Sequence, residues 1–379
     1  MDFLANFEFL FEAINAITWR QPVMWLIGFA LIYLAIKRDM EPMLLLPIGI
    51  GCILVNMPFT NVLSDEGGAG IIQWLFEVGI DASEAMPILL FIGIGAMIDF
   101  GPLISNPKMM LLGGFAQLGI FITILLACLT GAFGLNDAAS IGIIGAADGP
   151  TSIVVAKALG SQYLGPITIV AYSYMALVPI IQPPVIKLVT TKKQRLIRMD
   201  DQVIKPVPKS VKILFPIVIT VVSGLIAPKS LALIGFLMFG NLLRECGVLN
   251  QLSRTAQNEL VNLITLLLGI TISFQMQAAS FLNVNTLIIV GLGLFAFVFD
   301  TIGGILFADF MNLFLKKKIN PMIGAAGISA FPMSARIVHK LGRKEDPTNY
   351  LLMHAIGANV SGQVASAIVG GLIIALVLA

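Results

Sequence analysis

Residues 142–155 read GIIGAADGPTSIVV and place one carboxylate, Asp148, within a run of apolar and small residues. At bilayer depth a carboxylate costs about 3 kcal/mol unless it finds a partner. The Gly149–Pro150 pair directly after it ends one helix and begins another, because proline suits only the first turn of a helix. The stretch therefore predicts a helix broken inside the protein with a charged group at the break. A purely structural N-cap by Asp148 is the alternative.

The composition is that of a protein embedded in a membrane. Of the 379 residues, 58% are hydrophobic and 12% are charged, and the mean hydropathy is +0.95. A water-exposed surface needs roughly a quarter of its residues charged, so a soluble globular protein is excluded. We predict an all-α, polytopic membrane protein with about ten spanning helices, and we expect no nucleic-acid partner. The predicted spans are residues 22–38, 43–59, 86–100, 109–132, 164–189, 211–228, 230–243, 259–276, 285–311 and 350–378.

The positive charges in the loops predict the topology. The basic run KKQRLIR, residues 192–198, follows the 164–189 span and is predicted to lie in the cytoplasm. Propagated along the chain, this assignment puts both ends of segment 320–342 on the cytoplasmic side, and segment 139–160 enters from the opposite side. Glycine and proline interrupt both segments. We therefore predict re-entrant hairpins, with crossed broken helices as the alternative.

The two interrupted segments resemble each other when residue 141 is laid on residue 323. The matches are Ile141, Gly142, Gly145, Pro150, Ser152, Leu159 and Gly160 with Ile323, Gly324, Gly327, Pro332, Ser334, Leu341 and Gly342. An odd number of predicted spans in each half points the halves in opposite directions, which predicts inverted repeats with a transport site near the bilayer midplane. The predicted organisation is an N-terminal interfacial helix at 1–20, a first repeat at 21–190, a basic cytoplasmic loop at 191–210 and a second repeat at 211–379.

Oxygen-bearing side chains lie in and after these segments. Asp148 in the first repeat corresponds to neutral Ala330 in the second, which Ser329 precedes. Asn320 opens the second segment, and Asn359 lies in the span that follows it. Carboxylate, amide and hydroxyl oxygens suit a hard cation such as sodium. For Asn359 an interhelical hydrogen bond is the structural alternative.

Four further residues have both a functional and a structural interpretation. Gly324 belongs to the predicted ion pathway or serves small-residue packing. Arg336 ends the second segment, where it holds a carboxylate through two parallel hydrogen bonds or acts as a positive-inside anchor. Tyr174 is a ligand or proton donor, or else a core or interface residue. Asp99 is a second intramembrane carboxylate candidate, or it lies at the cytoplasmic end of a short span.

Three strings carry a resemblance to a known family. They are GAADGPTSI at 145–153, NPMIGAAGISAFPMSAR at 320–336 and MHAIGANVSGQVASA at 353–367. In combination they resemble the membrane-embedded beta subunit of the sodium-translocating biotin-dependent decarboxylases, and the likeness covers nearly the whole chain. Members of that family occur in oxaloacetate, methylmalonyl-CoA, glutaconyl-CoA and malonate decarboxylases.

The resemblance implies that the chain is the enzymatic membrane subunit of a sodium pump. In the family a carboxyltransferase subunit moves the carboxyl group from the substrate to biotin on a carrier protein. The beta subunit then decarboxylates carboxybiotin, consumes a proton and exports sodium ions. Biotin is therefore presented by a partner, and none is expected on this chain.

The resemblance also implies roles for single residues. Those tied to the sodium pathway are Asp148, Asn320, Gly324, Ser329 and Asn359. Arg336 is tied to carboxybiotin, and Tyr174 to the handling of sodium or protons. The predicted catalytic residues are thus Asp148, Tyr174 and Arg336, while Asp99 is added to the sodium site from its position alone.

The implied partners are a biotin carrier subunit, a carboxyltransferase (alpha) subunit and a small membrane gamma or delta subunit. We expect them in an oligomeric complex at the bacterial cytoplasmic (inner) membrane. The relatively short chain favours a glutaconyl-CoA or methylmalonyl-CoA type over an oxaloacetate type. The alternative function is a secondary sodium-coupled transporter of an organic anion, which uses the same inverted-repeat arrangement and needs no biotinylated partner.

Overall fold

Helices dominate the structure, a computed structural model that describes residues 12, 14–38, 42–65, 68–199 and 206–379. The protein is 78% helical, which confirms the predicted all-α class. Within the described ranges the only strands form a short antiparallel hairpin of Ser64–Asp65 and Gly68–Ala69. Of the predicted interfacial helix at 1–20 only residues 12 and 14–20 are described, and residues 200–205 of the predicted loop at 191–210 also lie outside the described residues.

The helices follow one another in chain order with short connections. In the first half they are α1 Arg20–Arg38, α2 Pro42–Val55, α3 Ile71–Phe76, α4 Ala85–Met97, α5 Gly101–Ser105, α6 Met109–Phe115, α7 Leu118–Leu129, α8 Leu135–Gly142, α9 Gly149–Ala158, α10 Leu164–Val189 and α11 Lys192–Arg195. In the second half they are α12 Lys209–Ile226, α13 Leu231–Glu245, α14 Asn250–Thr255, α15 Val261–Ile272, α16 Ala278–Phe281, α17 Val284–Phe314, α18 Met322–Ala325, α19 Met333–Glu345 and α20 Leu352–Leu378.

Five helices in the described part of the chain are long and apolar enough to cross a membrane, and two bent pairs raise the number to as many as seven. The count is lower than the ten or so predicted spans because several of those spans form short helices. Helix α2 has 14 residues and α13 has 15. At 1.5 Å per residue each is about 21–23 Å long, less than the roughly 30 Å hydrocarbon core.

The chain divides into two compact units, each of which draws on both halves of the sequence. Unit 1 comprises Met1–Met86 and Asn262–Leu287. In it α1 and α2 approach closely, because a Cβ on Gly28 would lie 2.8 Å from the carbonyl oxygen of Gly49. The buried Asn56 amide donates to Met276 O at 2.8 Å and accepts from Ala278 N at 2.8 Å, which joins the two parts of the unit.

Unit 2 comprises Pro87–Val261 and Ile288–Ala379 and contains both interrupted segments. Small residues let its helices pack closely, as is usual between membrane helices. A Cβ on Gly95 would overlap the backbone of α13, and one on Gly240 would overlap the backbone of α4. Helix α20 is largely buried in this unit, and Ser361 on it donates to Met109 O at 2.9 Å. Unit 2 therefore supplies the enclosed polar positions described next.

Candidate functional site

The first interrupted segment contains the predicted break. Helix α8 tightens into a 3-10 turn at Ile143–Ala146, and Ala147 then takes a left-handed conformation with φ 52°. Such backbone is unfavourable for a residue with a Cβ and is concentrated at functional sites. Asp148 is extended, and α9 starts at Gly149 with Pro150 in its first turn, where proline needs no N–H partner.

Asp148 lies at this break and is only 4% exposed. The Thr151 hydroxyl donates to its Oδ2 at 2.5 Å, and the Ser366 hydroxyl lies 3.4 Å from the same oxygen. Asp148 is the N-cap residue of α9, and the Thr151 backbone N–H also interacts with its carboxylate, so the structural N-cap stays an interpretation that is compatible with a cation site. None of the ion pairs among the described residues involves Asp148. A buried carboxylate without a cationic side chain is suited to a transported cation.

The second break lies between α18 and α19 and meets the first. Residues 326–332 are not helical, and the Ser329 N–H donates to Ala146 O at 3.0 Å, which joins the two breaks directly. The Asn359 amide donates to Ala326 O at 3.1 Å and to Ile328 O at 2.7 Å. Irregular backbone thus finds its partners inside the protein, as a dry environment requires.

One face of α20 contacts both breaks. Asn359, Gln363 and Ser366 have the i, i+4, i+7 spacing that puts side chains on one helix face. Gln363 donates to the Ser329 carbonyl in the second break, while Ser366 lies beside Asp148 in the first. The oxygens Asn359 Oδ1 and Gln363 Oε1 are buried and have no partner among the described residues. They therefore remain available as acceptors for a cation.

We call this set the breakpoint junction: Asp148, Thr151, Ser329, Asn359, Gln363 and Ser366. It unites three predicted residues, Asp148, Ser329 and Asn359. Sequence reasoning missed Thr151, Gln363 and Ser366. The helical spacing of polar residues in ANVSGQVASA was a usable signal for Gln363 and Ser366. Carboxylate, amide, hydroxyl and backbone carbonyl oxygens are the ligands that hard cations prefer in proteins.

Asn320 serves a different contact in this conformation. Its Nδ2 donates to Arg195 O and Ile197 O, each at 2.9 Å, and its Oδ1 accepts from Met322 N at 3.1 Å. The Nδ2 group thus holds the region that follows α10 against the second segment, while Oδ1 makes a local contact within that segment. No described contact connects Asn320 with the breakpoint junction, and its assignment to the sodium pathway stays a prediction.

Gly324 is required by close backbone packing. A Cβ on Gly324 would overlap the carbonyl of Gly304 on α17, and a Cβ on Gly304 would overlap the carbonyl of Gly324. The two helices therefore cross at van der Waals contact between their backbones. This geometry supports the small-residue interpretation of Gly324, and a role in the sodium pathway stays a prediction.

The two tyrosines of α10 point in different directions, as residues two positions apart on a helix do. Tyr174 donates its hydroxyl to Val290 O on α17, and its ring packs near Gly293. Tyr172 instead packs its ring beside Gly149, next to Asp148, with a hydroxyl that has no partner in the described ranges. Sequence reasoning selected Tyr174, whereas the tyrosine nearer the first break is Tyr172.

Arg336 is exposed on α19, the helix that follows the second break. The far end of α19 is tied to the basic loop by Arg195–Glu345 at 2.9 Å and Arg198–Asp346 at 2.6 Å. Hydrogen bonds from Thr348, followed by the contact with Arg198, hold the pKa of Asp346 below its ordinary value. An accessible guanidinium on an anchored helix fits the planar carboxylate of a group presented from outside the chain.

Asp99 lies two residues beyond the end of α4. Its Oδ1 accepts from Gly101 N at 2.8 Å and pairs with Lys212 at 3.3 Å. The carboxylate therefore already has a cationic partner, and no described contact connects it with the breakpoint junction. A role for Asp99 in the sodium site stays a prediction.

Comparisons with known proteins agree along nearly the whole chain. The family model of the Na+-transporting oxaloacetate decarboxylase beta subunit matches residues 20–377. The glutaconyl-CoA decarboxylase subunit beta of Acidaminococcus fermentans is 48% identical over 362 residues, 96% of this chain and 94% of the relative. The methylmalonyl-CoA decarboxylase subunit beta of Propionigenium modestum is 46% identical over 375 residues, 93% and 94% of the two chains. The oxaloacetate decarboxylase beta chain of Klebsiella pneumoniae is 41% identical over 416 residues, 95% of each.

Proposed function

The chain belongs to the beta-subunit family of the Na+-transporting decarboxylases, and from this premise we propose that it decarboxylates carboxybiotin and exports sodium ions through the breakpoint junction. The observation that carries the proposal is Asp148. It is a buried carboxylate held by two hydroxyls at the point where two broken helices meet, and no basic side chain of the described residues pairs with it. A transported cation would supply the missing charge.

Sodium is the cargo of this site. We propose that Asp148 supplies the charge and that Ser329 and Asn359 supply neutral oxygens. The unpartnered oxygens of Asn359 and Gln363 support this assignment, because a buried acceptor without a partner costs about 1–3 kcal/mol. A bound cation would remove that cost at both amides.

Carboxybiotin is proposed to dock at the exposed guanidinium of Arg336. Biotin on a partner subunit supplies the carboxylated ureido nitrogen, and Arg336 binds and orients the carboxylate through parallel hydrogen bonds. When the carbon–nitrogen bond breaks, CO2 leaves and the electron pair remains on the ureido nitrogen, which takes up a proton. The proton is proposed to come from a donor in the dry interior of this chain, for which Tyr174 was the candidate from the sequence.

Coupling demands that the sodium site opens to one side of the membrane at a time. Moving one positive charge outward against about 100 mV costs roughly 2.3 kcal/mol. We propose that decarboxylation and outward opening are linked through the two breaks, and the Ser329–Ala146 hydrogen bond, which connects them directly, supports this link.

Inverted repeats at 21–190 and 211–379 are part of the proposal. Equivalent glycines of the two interrupted segments have equivalent surroundings, which supports it. Gly142 packs against the backbone of α7 at Ile120, and Gly324 packs against the backbone of α17 at Gly304. Repeats of this kind place the ion site at their interface near the midplane.

The partners and the substrate type are proposed from the family. We propose a complex with a biotin carrier subunit, a carboxyltransferase (alpha) subunit and a small membrane gamma or delta subunit, located in the bacterial inner membrane. The glutaconyl-CoA and methylmalonyl-CoA relatives are 46–48% identical to this chain and the oxaloacetate relative cited above is 41% identical, which favours an acyl-CoA substrate for the complex.

Reconstituted proteoliposomes test the proposed function. The complex is purified through this chain and supplied with its carboxylated biotin carrier, and CO2 release and sodium movement are measured together. The expected result is decarboxylation stimulated by sodium and accompanied by sodium transport. Full decarboxylation without sodium movement would contradict coupling, and sodium-driven uptake of an organic anion without any biotinylated partner would identify a secondary transporter instead.

Thr151→Val is expected to weaken sodium affinity about tenfold, since a hydrogen bond to a charged group contributes roughly 1.5 kcal/mol. Valine keeps the shape of threonine but cannot donate to Asp148 Oδ2. Sodium dependence of decarboxylation gives the apparent affinity. Thr151→Ser keeps the hydroxyl and is the matched control, so equal effects of the two substitutions would show that packing, and not the hydrogen bond, matters.

Arg336→Lys is expected to raise the concentration of carboxylated carrier needed for half-maximal rate about tenfold, while the sodium dependence stays the same. Lysine keeps the charge but loses one of two parallel hydrogen bonds, which is worth about 1.5 kcal/mol. The nearby exposed Lys340→Arg is the matched control. An unchanged carrier requirement would assign Arg336 to membrane anchoring alone.

A further inference from the structure

A second buried carboxylate lies in the middle of α17. Asp300 is fully buried, and its Oδ1 accepts from Gly119 N at 2.5 Å and from Ile120 N at 3.3 Å. These N–H groups belong to the first turn of α7, a twelve-residue helix that starts after an interruption at residues 116–117. The partial positive charge of that helix end therefore falls on one oxygen only.

The other oxygen, Oδ2, has no hydrogen-bond partner in the described part of the chain. A Cβ on Gly145 would overlap it, and the same Cβ would lie 3.0 Å from the methyl group of Ala296. Oδ2 thus faces the 3-10 turn that precedes the break at Asp148. Gly145 and Ala296 leave little free space on this side of the carboxyl group.

These surroundings favour a proton over a metal ion. An ionised carboxylate with one bare oxygen in a dry site carries a large desolvation penalty, and no ion pair compensates it among the described residues. A sodium ion would need several oxygen ligands and the room to bind them, whereas even a Cβ on Gly145 would overlap Oδ2. A proton needs only the oxygen itself.

The elements packed against Asp300 supply no alternative charge partner. On α7 the only titratable group is Cys128, α8 carries Asp137, and the first interrupted segment carries Asp148 and Lys157. Helix α17 itself carries Asp309. In the described residues none of these groups hydrogen-bonds to Asp300.

We propose that Asp300 is a proton-binding site of the transport cycle: it holds a proton on Oδ2 in this conformation and releases it when the first interrupted segment moves away at Gly145. This inference depends on the proposed function for its place in the cycle. The ureido nitrogen of biotin must gain one proton for each CO2 lost. The proton that Asp300 releases inside the protein can protonate this nitrogen. Asp300 then regains a proton from solvent.

Infrared spectroscopy of the purified complex tests the protonation directly. At about pH 8 ordinary carboxyl groups are ionised, so a carboxylic-acid C=O band that shifts in D2O reports a protonated buried group. We expect this band in the wild type and in Asp148→Asn, and we expect it to be lost in Asp300→Asn. No such band in the wild type, or the same band in Asp300→Asn, would overturn the proposal.

The decarboxylation rate of an Asp300 variant tests whether this proton is used in the transport cycle. Asp300→Asn keeps an oxygen for Gly119 and Ile120 but cannot release a proton, and it is expected to lower decarboxylation about 100-fold, the usual range for a proton donor. Thr123→Val removes another buried, unpartnered polar atom from α7 and is the matched control, with wild-type turnover expected. Wild-type turnover in Asp300→Asn would overturn the role in the cycle. The infrared band is measured without decarboxylation, so it reports on the Asp300 proton even if the proposed function of the complex is wrong.

Discussion

Asp148→Asn is expected to abolish sodium-stimulated decarboxylation and sodium transport together. Asparagine fits the same space and still accepts from Thr151, so the change removes the negative charge with little change in packing. Loss of one partner of a buried charge pair costs about 2–5 kcal/mol. With about 1.4 kcal/mol per tenfold, a loss of 3 kcal/mol weakens sodium binding roughly 100-fold.

The measurement is sodium dependence of CO2 release and of sodium uptake in the same proteoliposomes. Asp137→Asn is the matched control, because Asp137 lies in α8, the helix that leads into the same break, but its carboxylate accepts from the Ser161 hydroxyl at 2.7 Å, away from the breakpoint junction. The control is expected to keep both activities. If Asp148→Asn retains normal sodium dependence, the cation is bound elsewhere and the breakpoint junction is only a structural contact between two breaks.

Gly324→Ala is expected to destabilise the protein by about 1–3 kcal/mol, the usual cost of overpacking. The added methyl group would overlap the backbone of Gly304, and backbone atoms cannot rotate away as a side chain can. Thermal unfolding in detergent measures the loss. Gly291→Ala on α17 is the matched control, since a Cβ there meets nothing within 4 Å, and its melting temperature should stay within the error of the wild type.

The same variant separates the two interpretations of Gly324. If packing is its whole role, the folded fraction of Gly324→Ala binds sodium with wild-type affinity. Wild-type stability combined with a loss of sodium affinity would instead assign the glycine backbone to the ion pathway.

The fold class and the position of the breaks could be predicted because both depend on local properties. Apolar composition over tens of residues is enough to predict membrane helices, and Gly149–Pro150 is enough to interrupt one. The junction residues Asp148, Ser329 and Asn359 were found for the same reason: each is a polar group in an apolar stretch, where the energetic cost points to a function.

The sequence could not predict which polar groups contact each other in the folded protein. Asp300 too is a carboxylate in an apolar span, so its energetic cost was a local signal in the sequence, whereas its contact with Gly119 joins residues far apart in the chain and was not. Thr151 and Ser366 are unremarkable small polar residues until the fold brings them to Asp148.

By itself the sequence determined that this is an all-α membrane protein with two interrupted segments and a carboxylate at one break, because hydropathy and backbone breakers act within a few residues. Only the tertiary structure decided that the breaks touch through Ser329 and Ala146, that Asn320 holds a loop, and that the Tyr172 ring packs beside Gly149, next to Asp148. Hydrogen bonds and backbone crossings form between segments distant in sequence, and their partners are chosen by how the helices pack.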